Sequence, residues 1–157
     1  MNIKSISFVF LALFLIAGCW SASSPPEELF KAIKDKKTEV VQSILASGKI
    51  NLDPPREPNT VNKPLAYAAA YGNLEIVKIL VQKGADINGQ VAYGDAPLIK
   101  ATEHKNRDII KYLLEQGADV NLPNVFGVTP FMGWCGMGDI ELVNLGLKNG
   151  GKVNESY

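Results

Sequence analysis

The residues best equipped for chemistry are few and scattered. One histidine, His104, and two cysteines, Cys19 and Cys135, occur in 157 residues. A metal centre needs several His, Cys, Asp or Glu side chains at close, regular spacing, and no such cluster accompanies His104. Trp134-Cys135-Gly136 opens a two-thiol pattern, but position 138 is Gly, so the second sulfur of a redox pair is missing. Neither a Gly-x-Ser-x-Gly elbow, a Gly-rich phosphate loop nor a dinucleotide fingerprint occurs. The sequence therefore argues against an enzyme and predicts no cofactor and no metal. An unpaired Cys135 on a helix reads as a small packed hydrophobe. The 16 basic and 16 acidic side chains cancel, leaving none of the basic excess that phosphate neutralisation requires, so nucleic acid is not an expected partner.

The elements that hold these residues repeat. Pro64, Pro97 and Pro130 are 33 residues apart; so are Gly84, Gly117 and Gly150, and Asn88, Asn121 and Asn154. Between the markers one apolar pattern recurs as Leu74-Glu75-Ile76-Val77, Arg107-Asp108-Ile109-Ile110 and Ile140-Glu141-Leu142-Val143. Three marker series with one period specify a stack of like units. Each Pro starts a first helix, where its missing N–H costs nothing and its φ is already helical. Ala68 and Ala69 are small, so neighbouring units can approach. Gly72 or its equivalent turns the chain. A second helix presents Ile76, Val77, Ile79 and Leu80 as its buried stripe, and Gly84 and Gly117 end such helices in left-handed backbone. Neither helix can bury its stripe alone, so stability comes from stacking.

Lys63-Pro64-Leu65 with Ala68-Ala69, Thr129-Pro130-Phe131, Gly84-Ala85-Asp86-Ile87-Asn88 and Gly117-Ala118-Asp119-Val120-Asn121 resemble the ankyrin repeat. The resemblance implies an all-α solenoid of about four helix-turn-helix repeats with hairpin fingers, filling a domain over 27–157 with repeats near 27–61, 62–94, 95–127 and 128–157. The first repeat is degenerate: Leu29, Ala32, Glu39-Val40-Val41 and Gly48 align with the second at an offset of 36, and Lys31, Lys34, Lys36 and Lys37 give it the polarity of a capping unit. The family's usual His after the Pro-Leu pair is replaced by Ala66, Ile99 and Met132, which removes a hydrogen bond bracing each hairpin. In the last unit Phe131 to Met137 is apolar and Gly-rich, and Trp134 stands where Ala68 and Ala101 do. Either Trp134 plugs the open end of the stack, or this patch meets a partner.

The N-terminus carries a separate signal. Lys4 precedes an apolar run from Ile6 to Ile16, broken only by Ser7 and too short to span a bilayer. Ile16-Ala17-Gly18-Cys19 resembles the lipobox of bacterial lipoproteins. That resemblance implies cleavage of a leader over 1–18, a lipid anchor on Cys19 and, with Trp20 rather than Asp next, the periplasmic face of the outer membrane. Two or more acyl chains anchor stably. Residues 19–26 then read as the lipidated Cys and a Ser/Pro tether, with Trp20 to Pro26 reaching at most about 23 Å at roughly 3.3 Å per residue.

Ankyrin stacks generally bind proteins through finger tips and the exposed part of each first helix. Carried over by position, the resemblance implies partner-binding finger residues Thr60, Asn62, Tyr93, Asp95, Phe126 and Val128. It implies helix residues Lys34, Asp35, Ala70, Tyr71, Glu103, His104, Gly136 and Met137. Tyr71, Tyr93, Phe126 and Met137 would form an apolar seam with charges at one end, the composition of an interface hot spot. Small periplasm-facing ankyrin lipoproteins are similar in layout to immunity proteins that protect bacteria from the phospholipase effectors of type VI secretion. The implied function is inhibition of a secreted phospholipase toxin at the membrane; the alternative is a periplasmic scaffold or regulator of a resident enzyme, such as an oxidative-stress enzyme.

Overall fold

The computed structural model describes residues 25–48, 50–55 and 63–152. The leader, Cys19, the tether up to Ser24, Thr60, Asn62 and Asn154 lie outside the described residues. Among the described residues eight α-helices follow one another as four pairs. These are α1 (Glu27–Lys34) with α2 (Thr38–Ala46), α3 (Pro64–Tyr71) with α4 (Leu74–Gln82), α5 (Pro97–Glu103) with α6 (Arg107–Glu115), and α7 (Pro130–Met137) with α8 (Ile140–Lys148). First helices pack on first helices and α2, α4 and α6 on one another, so the chain is an all-α solenoid.

Local chemistry sets the helix ends. Pro64, Pro97 and Pro130 occupy the first helical position of α3, α5 and α7. The side chains of Asn73 and Asp139 accept the Ile76 and Leu142 amides and so cap α4 and α8. Asn106, at the equivalent position before α6, reaches across the stack instead. Its Nδ2 donates to the Ala69 and Ala70 carbonyls at 2.7 and 3.1 Å, which satisfies carbonyls at the end of α3 in the preceding unit. The turn inside each unit places a left-handed residue at one register: Lys36 (φ 55), Gly72 (φ 72), Lys105 (φ 56) and Gly138 (φ 68).

A single core runs the length of the stack, from Leu29 through Leu65, Ile76, Leu80, Leu98, Ile110 and Leu113 to Phe131, Trp134 and Leu142. Ala68, Ala69 and Ala101 are wholly buried where adjacent first helices meet. The fourth unit fills its core by an exchange of volumes. Trp134 stands in register with Ala68 and Ala101, and Gly146 stands in register with Leu80 and Leu113. A Cβ on Gly146 would lie 2.5 Å from Phe131 Cδ2 and 2.9 Å from Trp134 Cζ3, so the rings fill the space a leucine would take.

Two expectations change, and Trp134 takes the first of the two readings left open for it. Trp134 is wholly buried, and its Nε1 donates to Thr102 Oγ1 at 2.9 Å. It therefore packs inward against α5 and does not face a partner. Cys135 is exposed and not a packed hydrophobe, because its equivalents Ala69 and Thr102 each have a following unit against them and no described unit follows the fourth. The tether ends sooner than its composition suggests: Pro25 is buried, and the Pro26 carbonyl accepts the Leu29 amide at 2.9 Å.

Candidate functional site

The fingers grow from roots that are stitched to one another. Asp53 Oδ2 accepts the Asp86 amide at 2.8 Å, Asn88 Oδ1 accepts the Asp119 amide at 2.9 Å, and Asn121 Oδ1 accepts the Lys152 amide at 3.0 Å. Within the roots Asp86 and Asp119 accept the amides of Asn88 and Asn121. Asn88 and Asn121 of the 33-residue series, together with Asp53, thus form a ladder of side-chain to backbone bonds between successive units.

Above the roots, the second finger closes through the Val91 amide and Asp95 carbonyl, and the third through the Asn124 amide and Val128 carbonyl, both at 3.0 Å. Val125 N donates to Tyr93 O at 2.8 Å and ties the two tips together. Neither tip is a strand: the second contains the 3-10 turn Ala92–Gly94, with Tyr93 at φ 59. Asp95, expected to contact a partner, is only 5% exposed. One of its oxygens accepts from Asn124 Nδ2 at 2.9 Å and the other pairs with Lys100 Nζ at 2.6 Å. Its carboxylate braces the fingers where the family's usual histidine is absent. Lys100 also bonds Glu103 at 3.0 Å. Burial opposes the Lys100 charge, but the bonds to Asp95 and Glu103 outweigh it and raise its pKa above the ordinary lysine value.

The remaining expected residues in the described range are on the surface. Tyr93, Phe126 and Val128 are exposed at the finger tips, where the Tyr93 and Phe126 rings stack with centroids 6.1 Å apart. Lys34 and Asp35 at the end of α1, Tyr71 in α3, Glu103 and His104 at the end of α5, and Gly136 and Met137 in α7 are exposed, and Ala70 is half-buried. Three groups that the sequence reading passed over join them. Phe30 meets Tyr67 edge to face at 5.3 Å, and Tyr67 meets Tyr71 at 4.5 Å, making a row of three rings across α1 and α3. Tyr67, Ala70, Tyr71, Lys100 and His104 line a cleft of about 470 Å³ between the second and third first helices. Tyr67 lies four residues before Tyr71, on the same helix face, and that spacing was available as a signal. Burial, then the neighbouring Tyr71 hydroxyl, pushes the Tyr67 phenol up to about 12.

Among the described residues no group of His, Cys, Asp or Glu could hold a metal, and no helix is long and apolar enough to cross a membrane. Stacked helix pairs that brace an open aromatic cleft and two exposed finger tips define a repeat-built binding scaffold. The family model for ankyrin repeats (three copies) matches residues 29–124, more than half of the sequence, and the chain belongs to the ankyrin-repeat family. Among curated proteins, none matches this chain. The α7–α8 pair, with its Trp134 and Gly146 exchange, lies beyond the matched residues. Ankyrin repeats are protein–protein interaction modules, and a protein is the partner this family membership supports.

Proposed function

We propose that this chain is a lipid-anchored periplasmic protein that binds an antibacterial phospholipase and blocks access to its active site. Its reading as a binding module is carried by one observation, the open cleft where Tyr67 and Tyr71 lie beside Lys100 and His104. Aromatic surface left exposed beside charged groups is what a protein hot spot requires, since ring burial against a partner supplies affinity and the rim supplies orientation. The compartment and the kind of partner rest on the lipobox-like Ile16-Ala17-Gly18-Cys19 and on the similarity in layout to immunity lipoproteins. An inhibitor tethered at the periplasmic membrane surface would meet a phospholipid-cleaving toxin where its substrate lies. A stack of this size can offer a standard interface of about 1,600 Å².

The test is recovery of partners from membranes with the tagged, processed protein, followed by assay of what co-purifies. A phospholipase whose activity falls as the protein is added supports inhibition. A resident enzyme recovered with undiminished activity would make the protein a scaffold and end the immunity reading. Tyr71→Ala combined with His104→Ala should weaken partner binding by about 2 kcal/mol or more with an unchanged melting temperature; unchanged affinity would remove the cleft from the proposal.

A further inference from the structure

The outer face of the fourth unit differs from the junctions inside the stack. Ile99, Thr102, Ile110 and Leu114 of the third unit are buried. Their equivalents in the fourth, each 33 residues on, are Met132, Cys135, Val143 and Leu147. There Met132, Cys135 and Leu147 are exposed and Val143 is half-buried. Ile140 stands in register with Arg107, which reaches forward to Asp139 and Glu141 of the next unit. Ile140 meets nothing equivalent and is 75% exposed. The charged groups of this unit turn the other way. Helix α7 contains none. Asp139 and Glu141 are held by Arg107 and Lys111 of the third unit, and Lys148 lines the groove between α6 and α8. The face that α7 and α8 turn outward is therefore apolar and uncharged, and space is open where a Cβ on Gly136 would stand.

Such a face is complementary to a copy of itself. Across a twofold axis the same patch meets on both partners, so a charge near the axis would oppose its like, and this face brings none. The same lack of charge gives a foreign protein nothing to orient it, unlike the cleft, where Lys100, Glu103 and His104 surround the rings. The opposite end of the stack is no mate for it. Helix α1 exposes Glu27, Glu28, Lys31 and Lys34, and an apolar face would strip water from these groups without pairing them. Helices of 8 and 9 residues, side by side, are about 13 Å long and about 10 Å apart. Two such faces in contact bury roughly 1,000 Å² in all, the threshold of a specific interface. We propose that the α7–α8 end face is a twofold interface between two copies of this chain, closing a reversible dimer with α7 against α7. The cleft lies on α3 and α5, so each copy keeps its own, and the inference rests neither on the partner nor on the anchor at Cys19.

The experiment uses the chain from Trp20 onward, which keeps every core side chain from Leu29 to Leu142 and has Cys135 as its sole thiol. Analytical ultracentrifugation under reducing conditions, over a concentration series, should show a monomer–dimer equilibrium with no larger species. Ile140→Asp places a carboxylate on each copy at the interface and should lower the association constant by about tenfold or more. Asp at the first position of a helix suits its dipole, and Ile140 lies outside the core, so the circular dichroism spectrum of this variant should match the parent. Val40→Asp, on exposed α2 surface of the first unit, should leave association unchanged. In a second readout a short bismaleimide should join two parent chains through Cys135, and Ile140→Asp should abolish that product. A parent that stays monomeric at every concentration, growth beyond the dimer, equal association by Ile140→Asp, or a sedimenting dimer that the bismaleimide fails to join would each overturn the proposal.

Discussion

Lys36 and Lys105 hold left-handed backbone at the register where Gly72 and Gly138 stand in the other two units. An L side chain in that region is crowded against its own carbonyl, at a cost of roughly 1–2 kcal/mol, and a glycine there gives back part of the gain through its freer unfolded chain. Lys105→Gly should therefore stabilise the fold by up to about 1 kcal/mol, measured as a raised urea midpoint with an unchanged slope. A lowered midpoint would mean that the lysine side chain contributes more than its backbone costs. The two glycines were legible as turn residues, but a lysine carries no mark of positive φ. Asp95 was misjudged for a related reason: its burial is decided by Lys100, five residues on, and by Asn124, 29 residues on. Neither partner announces itself in the local sequence, whereas exposed Tyr71, Tyr93 and Phe126 could be placed by register alone.

At the scale of the element, the α7–α8 pair solves its packing differently from the units before it. Phe131, Trp134 and Gly146 stand where α3–α4 has Leu65, Ala68 and Leu80, and α5–α6 has Leu98, Ala101 and Leu113. Gly146→Leu alone should destabilise by about 3 kcal/mol or more, because a Cβ there already collides with two rings. Trp134→Ala alone should cost about 3–5 kcal/mol through the cavity it leaves. Combined with Phe131→Leu, the same two changes restore the inner-unit pattern, and the triple variant should lose at least about 2 kcal/mol less than the sum of its parts. Additive losses in chemical denaturation would show that the volumes are not coupled. The helices were legible because the Pro, Gly and apolar stripes keep one period. The exchange was half legible: Trp134 stood out against two alanines, but its compensation at Gly146 reads locally as an ordinary turn glycine.

Across the whole molecule, the last two units are joined on their second-helix side by a chain of ion pairs. Arg107 binds Asp139 and, at 3.0 Å, Glu141, which pairs with Lys111 at 2.8 Å. The Lys111 hydrogen bond, helped by the Arg107 charge, holds the Glu141 carboxyl below the usual carboxylate value, and Glu141 in turn raises Lys111. A depressed carboxylate stabilises the fold above its unfolded pKa and ceases to do so as pH falls through the folded one. The raised lysine contributes at neutral pH and loses its effect as pH rises through its folded value. Glu141→Gln should therefore lower the melting temperature at neutral pH, and its difference from the parent should shrink as pH falls through the folded pKa of Glu141, below the usual carboxylate value; a difference that does not shrink with acid would assign the effect to packing. Such contacts between units were illegible beforehand, while the number of units followed directly from the period. That period is fixed by the ladder at the finger roots, where Asp53, Asn88 and Asn121 reach amides 33, 31 and 31 residues on. Each rung takes its acceptor from one unit and its donor from the next, so a block of 33 residues carries one half-rung on each side. A tandem gene duplication in that frame would add a rung and orphan none, which makes the length of this molecule something inheritance can adjust one unit at a time.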